Sequence, residues 1–98
     1  MNVGTTFLVT IIEFIVFILQ IYMYIIVARA LISWVNPDPY NPIVQFLRMA
    51  TDPVLRIFRR IIPPIGGALD FTPLIVVFII YFITKLLSQF AYQLARGF

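Results

Sequence analysis

The chain has 98 residues, of which 62% are hydrophobic and 11% are charged, and its formal net charge is +3. Ordinary soluble domains contain about 25% charged residues, so the composition excludes that class of protein. The length allows one small structural unit. The sequence contains no cysteine and no histidine, which excludes disulfides, thiolate catalysis and imidazole metal ligands.

The first apolar segment predicts a membrane-spanning helix over about 14–34. Few side chains within it are polar, and a helix needs roughly 20 mostly apolar residues to cross the hydrocarbon core. Trp34 stands at one end, where tryptophan prefers the membrane–water interface. A cleaved signal peptide is the alternative, but it requires a basic start and a shorter apolar run. No Lys or Arg precedes Arg29, so the spanning helix is favoured.

Arg29 lies five residues before Trp34, which is about 7–8 Å along a helix. Charged side chains in membrane spans usually face protein and find partners. Asp70, just before the second apolar segment, is expected at a similar depth, so the sequence predicts an Arg29–Asp70 ion pair. Extension of Arg29 to the lipid headgroups is the alternative.

The connection, residues 36–72, predicts two short amphipathic helices lying in the membrane interface, at about 42–50 and 53–62. The sequence NPDPYNP ends the first span, because proline lacks an amide donor and restricts the preceding residue. In Asn41-Pro42, and again in Asp52-Pro53 after Thr51, a capping side chain precedes a proline suited to the first helical position.

Arginines cluster on one side of these predicted helices. On a helical wheel, Arg56, Arg59 and Arg60 lie within about 100° of one another, opposite an apolar arc. Arg48 has the corresponding position on the preceding helix. Such helices lie in the interface, with their basic residues among headgroups or facing a partner. The prolines and glycines that break the chain afterwards are Pro63, Pro64, Gly66 and Gly67.

The second apolar segment predicts a spanning helix over about 73–94, with Thr72 as a side-chain cap and Pro73 as its first residue. Lys85 falls near its middle. A shorter span over about 69–87 would instead place Lys85 at the far interface. The fold class expected is therefore all-α: two transmembrane helices forming a hairpin, joined by two short amphipathic interfacial helices.

The distribution of positive charge predicts the orientation. Most of the basic residues lie in the connection, and cytoplasmic loops carry an excess of Lys and Arg. The connection is therefore expected in the cytoplasm, and both termini outside.

Polar residues within the spans, and Glu13 at the interface before the first span, raise the alternative of transport. Glu13, Gln20, Lys85 and Gln89 are the candidate pathway residues, since ionisable groups in spans are frequently functional. Two spans cannot enclose a pore, so this alternative is a subunit of an oligomeric channel or transporter. No arrangement of residues typical of an active site is present, and we expect no enzyme activity.

Several short motifs resemble those of the YggT family, also called YlmG, which are small bacterial and plastid membrane proteins. They are RALISW, NP at 41–42, TDPVL, RRIIPPIGG and DFTP. The matching positions are Arg29, Ser33, Trp34, Asn41, Pro42, Thr51, Asp52, Pro53, Arg59, Arg60, Pro63, Pro64, Gly66, Gly67, Asp70 and Pro73.

The resemblance implies a two-span protein of the bacterial inner membrane, or of a plastid membrane in a photosynthetic eukaryote, without known enzymatic activity. Relatives are linked to cell division and septum placement, to osmotic or potassium stress tolerance, and to covalent haem attachment on cytochrome b6. A chain lacking cysteine and histidine also lacks the usual haem ligands, so we expect no cofactor and an assembly role in any such pathway.

We therefore expect a non-catalytic membrane scaffold or assembly factor. Its expected partners are anionic lipid headgroups and a membrane or cytoplasmic protein. A homo-oligomer is a further option, and no direct binding to nucleic acid is expected.

Overall fold

A computed structural model describes residues 2–35, 38–61 and 71–97 of the chain. These contain three α-helices, α1 (Val3–Val35), α2 (Pro42–Ile61) and α3 (Thr72–Arg96), and no strand within those ranges. The predicted all-α fold is confirmed at this level.

Helices α1 and α3 are long and apolar enough to cross a membrane. They contain 33 and 25 residues, about 50 Å and 38 Å at helical rise, against roughly 30 Å for the hydrocarbon core. Helix α3 begins and ends within two residues of the predicted 73–94, whereas α1 begins well before residue 14. The early start follows from the sequence VGTTFLVT, which contains no proline to interrupt the helix.

Large apolar side chains of both spans remain exposed on the outside of the three helices. Phe14 is 61% exposed, Phe78 71% and Phe82 63%. Exposed apolar surface on this scale marks a membrane or protein contact. Together with the helix lengths, it indicates a membrane protein.

Helix α2 begins as its sequence predicts. The side-chain oxygen of Asn41 accepts a hydrogen bond from the backbone N–H of Ile43 at 2.9 Å, and Pro42 is the first helical residue. Asn41 therefore caps α2, as expected.

The predicted division of the connection into two helices is wrong. Helix α2 is continuous for 20 residues, with Pro53 in its interior. Asp52 lies within the helix and so does not cap a second one. An interior proline removes one hydrogen bond and usually kinks or breaks a helix; here, bonds from α1 support the backbone and side chains just before it.

The predicted cap of α3 is also wrong. Thr72 is itself the first helical residue and is buried, while Phe71 occupies the capping position without a side-chain hydrogen bond. Pro73 lies in the first turn, as predicted, where its missing N–H needs no partner within the helix.

The three helices meet in a small core formed by Ile26, Leu55, Val76 and Ile80. Ile26, Leu55 and Val76 are completely buried. Because this core lies in the C-terminal half of α1 and the N-terminal half of α3, α2 packs across one end of the α1–α3 hairpin. Of the described residues, only those of α1 and α3 form the other end.

Candidate functional site

Arg29 is the only charged residue that is buried among the described parts of the chain, with 9% of its surface exposed. One guanidinium nitrogen, Nη1, donates a hydrogen bond to Oγ1 of Thr51 at 2.7 Å. The same nitrogen forms an ion pair with Oδ1 of Asp52. We call Arg29, Thr51 and Asp52 the arginine cluster; it joins α1 to α2.

Thr51 extends the arginine cluster into the backbone of α2. This residue is completely buried, and its hydroxyl donates to the carbonyl of Leu47 at 2.7 Å while accepting from Arg29. The hydroxyl thus uses both its donor and an acceptor position. A threonine bonded to the carbonyl four residues earlier tends to bend a helix, and this one stands two residues before Pro53.

Tyr22 supports α2 at a carbonyl three residues after that of Leu47. Its hydroxyl donates to the carbonyl of Ala50 at 2.9 Å. Pro53 cannot donate to the carbonyl of Met49, and its ring crowds that turn. Two side chains of α1, Tyr22 and Arg29, therefore bind α2 where proline weakens it.

The arginine cluster is buried on one side and open on the other. The side chain of Arg29 is 11% exposed and that of Asp52 36%. Water therefore reaches the carboxylate, which lowers the cost of removing both charges from solvent. Thr51, in contrast, is closed to water and depends on its protein partners.

Of the predicted Arg29–Asp70 pair, only Arg29 lies within the described residues. Asp70 lies outside the described residues, as do Pro63, Pro64, Gly66 and Gly67. Arg29 is paired with Asp52, which sequence reasoning had assigned to a helix cap. The Arg29–Asp70 pair stays a prediction.

The four arginines of α2 are all exposed. At 100° per residue, α2 has three faces, each about a third of its circumference. One face is buried against α1 and α3 and includes Val44, Leu47, Thr51 and Leu55. The second, which we call the basic face, carries Arg48, Arg56, Arg59 and Arg60.

The third face of α2 is apolar yet exposed. It consists of Ile43 (67% exposed), Phe46 (60%), Ile57 (57%) and Ile61 (73%), and we call it the apolar strip. The sequence predicts a single apolar arc on the helix that carries these residues. The structure divides them between a buried face and this strip.

Three of the four candidate pathway residues share one face of the hairpin. Gln20 and Lys85 line a cavity of about 290 Å³ between α1 and α3. Glu13 lines a second cavity, of about 350 Å³, and Ser88 borders both. Gln89 is exposed but lines neither cavity.

These cavities lie on the side of the hairpin away from α2. Gln20 and Arg29 are nine residues apart on α1, so at 100° per residue they point in opposite directions. Arg29 points to α2. We call the side that bears Glu13, Gln20 and Lys85 the groove face.

The remaining motif residues have structural positions. Trp34 and Ser33 are exposed in the last turn of α1, consistent with an interfacial tryptophan. Among the described residues, no three acidic side chains come together as metal ligands. The arrangement is therefore one of a positioned helix with two exposed faces.

Comparison with known proteins gives a consistent set of relatives. The family model described as CCB3/YggT matches residues 8–91, from α1 into the last turns of α3. The uncharacterized protein YggT of Escherichia coli is 33% identical over 66 residues, which cover 67% of this chain and 35% of that protein.

Two further relatives come from different organisms. The uncharacterized protein PA0392 of Pseudomonas aeruginosa is 37% identical over 56 residues, or 57% of this chain and 28% of the relative. The chloroplastic YlmG homolog protein 2 of Arabidopsis thaliana is 44% identical over 57 residues, or 58% and 22%. The aligned part of this chain thus spans 22–35% of the length of these relatives. Because the family model includes all three helices, the chain belongs to the CCB3/YggT family.

Proposed function

We propose that the chain is a non-catalytic integral membrane scaffold or assembly factor, in which α2 presents its basic face to a protein partner at the cytoplasmic surface. The observation that carries this proposal is the contrast in exposure between Arg29 and the four arginines of α2. Arg29 is buried and holds α2 against the spans, while Arg48, Arg56, Arg59 and Arg60 are exposed.

A simple linker between two spans does not need a buried ion pair. Such pairs contribute little net stability compared with well-packed apolar residues of the same volume, and their best attested use is to specify one arrangement. The arginine cluster fixes both the position of α2 and its rotation about its own axis. Its rotation in turn decides which way the basic face points.

The two exposed faces of α2 fit the boundary between lipid and water. With its buried face against the hairpin, α2 directs the apolar strip towards the acyl chains and the basic face towards headgroups and cytoplasm. Each arginine near an anionic leaflet contributes about 1 kcal/mol. Anionic lipid thus positions α2, and a cytoplasmic or membrane protein binds its basic face.

The cytoplasmic placement rests on the excess of arginine in the connection. By resemblance to the family, the processes to which such a scaffold would contribute are septum organisation in cell division, osmotic stress tolerance, or haem attachment on cytochrome b6. The inner membrane of a bacterium, or a plastid membrane, is the corresponding location.

Site-specific photo-crosslinking in living cells tests the scaffold. A photoreactive amino acid at Arg56 or Arg60 samples the basic face, and the same group at Ile57 or Ile61 samples the apolar strip one residue away. We expect a discrete protein adduct from the basic face and lipid adducts from the strip. Lipid adducts from both faces, or the same protein adduct from both, would contradict a partner specific to the basic face.

A subunit of an oligomeric channel is a second candidate, favoured by the position of Glu13, Gln20 and Lys85 on one face. Ion flux through liposomes containing the full chain tests it. Conduction predicts that Lys85→Ala changes the flux and that Phe82→Ala, on the lipid-exposed surface, does not. No flux from the unaltered chain at high protein density would exclude this function.

A further inference from the structure

The groove face carries a row of polar side chains in the part of the hairpin that α2 does not cover. Glu13, Gln20 and Tyr24 lie on α1, and Tyr81, Lys85 and Tyr92 lie on α3; all are exposed. The other exposed sides of the same helices carry Phe14, Ile18, Phe82 and Leu86. One side of the hairpin therefore suits lipid, and the groove face does not.

The polar residues of the two helices occur in matching positions. Gln20 follows Glu13 by seven residues and Tyr24 follows Gln20 by four; on antiparallel α3, Lys85 precedes Tyr92 by seven and Tyr81 precedes Lys85 by four. Gln20 and Tyr24 line the same cavity as Lys85 and Tyr81, and Glu13 lines the same cavity as Tyr92. Each polar group of α1 thus has a counterpart on α3 at the same membrane depth.

An exposed charge near the middle of a span, as Lys85 is, requires a cover other than lipid. Insertion measurements give roughly 2.5–3.5 kcal/mol for a single Asp, Lys or Arg at the centre of a span. Such residues face protein or a water-filled cavity, and usually pair. Ser88 and Ala95 are seven residues apart on α3 and border these cavities. Small residues of this kind allow helices to approach closely within a membrane.

We propose that a second copy of this chain covers the groove face, in a parallel homodimer with its twofold axis along the membrane normal. Such an axis keeps both copies in the same orientation and places α1 of one copy against α3 of the other. Depth is unchanged by this rotation, so each polar group of α1 meets its counterpart on the second copy. The interface is isologous: every contact occurs twice.

The chemistry of the paired groups is complementary. The ammonium of Lys85 donates to the side-chain carbonyl of Gln20 in the second copy, and the hydroxyl of Tyr92 donates to the carboxylate of Glu13. Tyr24 meets Tyr81. Within each chain the Lys85 ammonium lies over the ring of Tyr81, 5.3 Å from its centroid, which directs it along the groove face. Each copy contributes one acid and one base, so two identical faces do not repel one another.

This interface is independent of the basic face of α2, which lies on the other side of the hairpin. The dimer can be present whether or not α2 binds a partner. It also closes the groove without any third protein, because the groove face supplies both halves of each pair.

Cysteine crosslinking between two differently tagged copies of the full chain tests the dimer in native membranes. The sequence has no cysteine, so each introduced thiol is unique. One copy carries Tyr24→Cys and the other Tyr81→Cys. The matched control pair is Ile18→Cys with Leu86→Cys, at nearly equal depths but pointing away from the groove face.

We expect severalfold more heterodimeric disulfide from the groove pair than from the control pair. Equal or weaker crosslinking of the groove pair would overturn the proposal. A crosslink from the groove cysteines to a different protein, or free labelling of Tyr24→Cys by a water-soluble maleimide in the assembled state, would also overturn it. Single-molecule photobleaching of the unaltered chain in nanodiscs provides a second measurement, in which two steps support the dimer and one step overturns it.

Charge substitution separates a dimer contact from a structural role within one chain. Gln20→Lys places two ammonium groups together in the proposed interface and should reduce the dimer fraction severalfold. Mixing Gln20→Lys chains with Lys85→Glu chains pairs opposite charges in the heterodimer and should restore association. Failure of the mixture to exceed Gln20→Lys chains alone would contradict this pairing.

Discussion

The guanidinium of Arg29 is held by two groups of α2 in surroundings that exclude most water, so removing either side leaves a buried polar group without its partner. Deleting one member of a buried ion pair costs about 3–5 kcal/mol. That range is an upper limit here, because the Asp52 side chain is 36% exposed. A double-mutant cycle isolates the coupling between two such residues.

We expect Arg29→Met, which keeps the length of the side chain, to lower the free energy of unfolding by up to about 3 kcal/mol. Asp52→Asn should cost less, because its amide oxygen can still accept from Arg29. The double variant should lose clearly less than the sum of the two. Reversible unfolding in mixed micelles provides the measurement, and Arg56→Met is the exposed control, expected to change stability by no more than about 0.5 kcal/mol.

Strictly additive losses would show that Arg29 and Asp52 are not coupled. The same cycle with Asp70→Asn tests the pairing that the sequence predicts. Within the described residues, Nε of Arg29 has no hydrogen-bond partner, so a second acceptor can be accommodated. Coupling of Arg29 to both carboxylates would make one arginine the contact between all three segments.

Tyr22 gives a second prediction at the scale of a single atom. Tyr22→Phe removes the hydroxyl that binds the carbonyl of Ala50 and should cost about 0.5–1.5 kcal/mol, the usual net contribution of such a bond. Tyr24→Phe in monomeric micelles is the control, since Tyr24 is 73% exposed. Equal effects of the two substitutions in the same unfolding experiment would contradict a bracing role for Tyr22.

At the scale of elements, the three faces of α2 predict a three-way pattern of accessibility. Spin labels placed singly along 54–61 in lipid should be accessible to oxygen at Ile57 and Ile61, and to a water-soluble nickel chelate at Arg56 and Arg60. Leu55, which is completely buried, should be accessible to neither. Uniform accessibility to the chelate along the segment would show that α2 is not docked.

The sequence predicts the features of the fold that depend on neighbouring residues, such as the start of α2. It does not predict those that depend on contacts between distant residues, such as the continuation of α2 through Pro53. Asn41-Pro42 begins α2 because the cap bond forms between residues two apart. Asp52-Pro53 has the same local pattern, but Asp52 binds Arg29 at a separation of 23 residues. The backbone before Pro53 also gains a bond from Tyr22. Because of these contacts, the helix continues through Asp52-Pro53. A single sequence does not reveal which of two similar patterns has such contacts.

The same distinction applies to the candidate site. Arg29 was identified as an intramembrane charge that needs a partner, because its position within the span is visible in the sequence and charges in spans are costly. Its contact with Asp52 was missed, because Asp52 was assigned to a helix cap; the predicted partner, Asp70, lies outside the described residues. The groove face could have been found from the seven- and four-residue spacings, which are visible in the sequence but gain meaning only from the alignment of α1 with α3.

At the scale of the whole molecule, orientation in the membrane follows from the position of the basic face. We expect Asp38→Cys, between α1 and α2, to resist an impermeant maleimide on intact cells and to react after permeabilisation. Val3→Cys, which replaces an 88% exposed residue at the other end of α1, should react on intact cells. The reverse pattern would place the connection outside.

The separation between Arg29 and its partners also has a consequence for synthesis of the chain. The ribosome adds about 5–20 residues per second, so the 23 residues from Arg29 to Asp52 take roughly one to five seconds to follow it. During that interval α1 is already apolar enough to leave the translocation channel, but its arginine has no carboxylate. An unpaired arginine near the end of a span extends to the nearest headgroups, which holds α1 in one orientation until α2 arrives. The residue that later docks α2 thus first serves as an anchor that retains this end of α1 at the membrane surface.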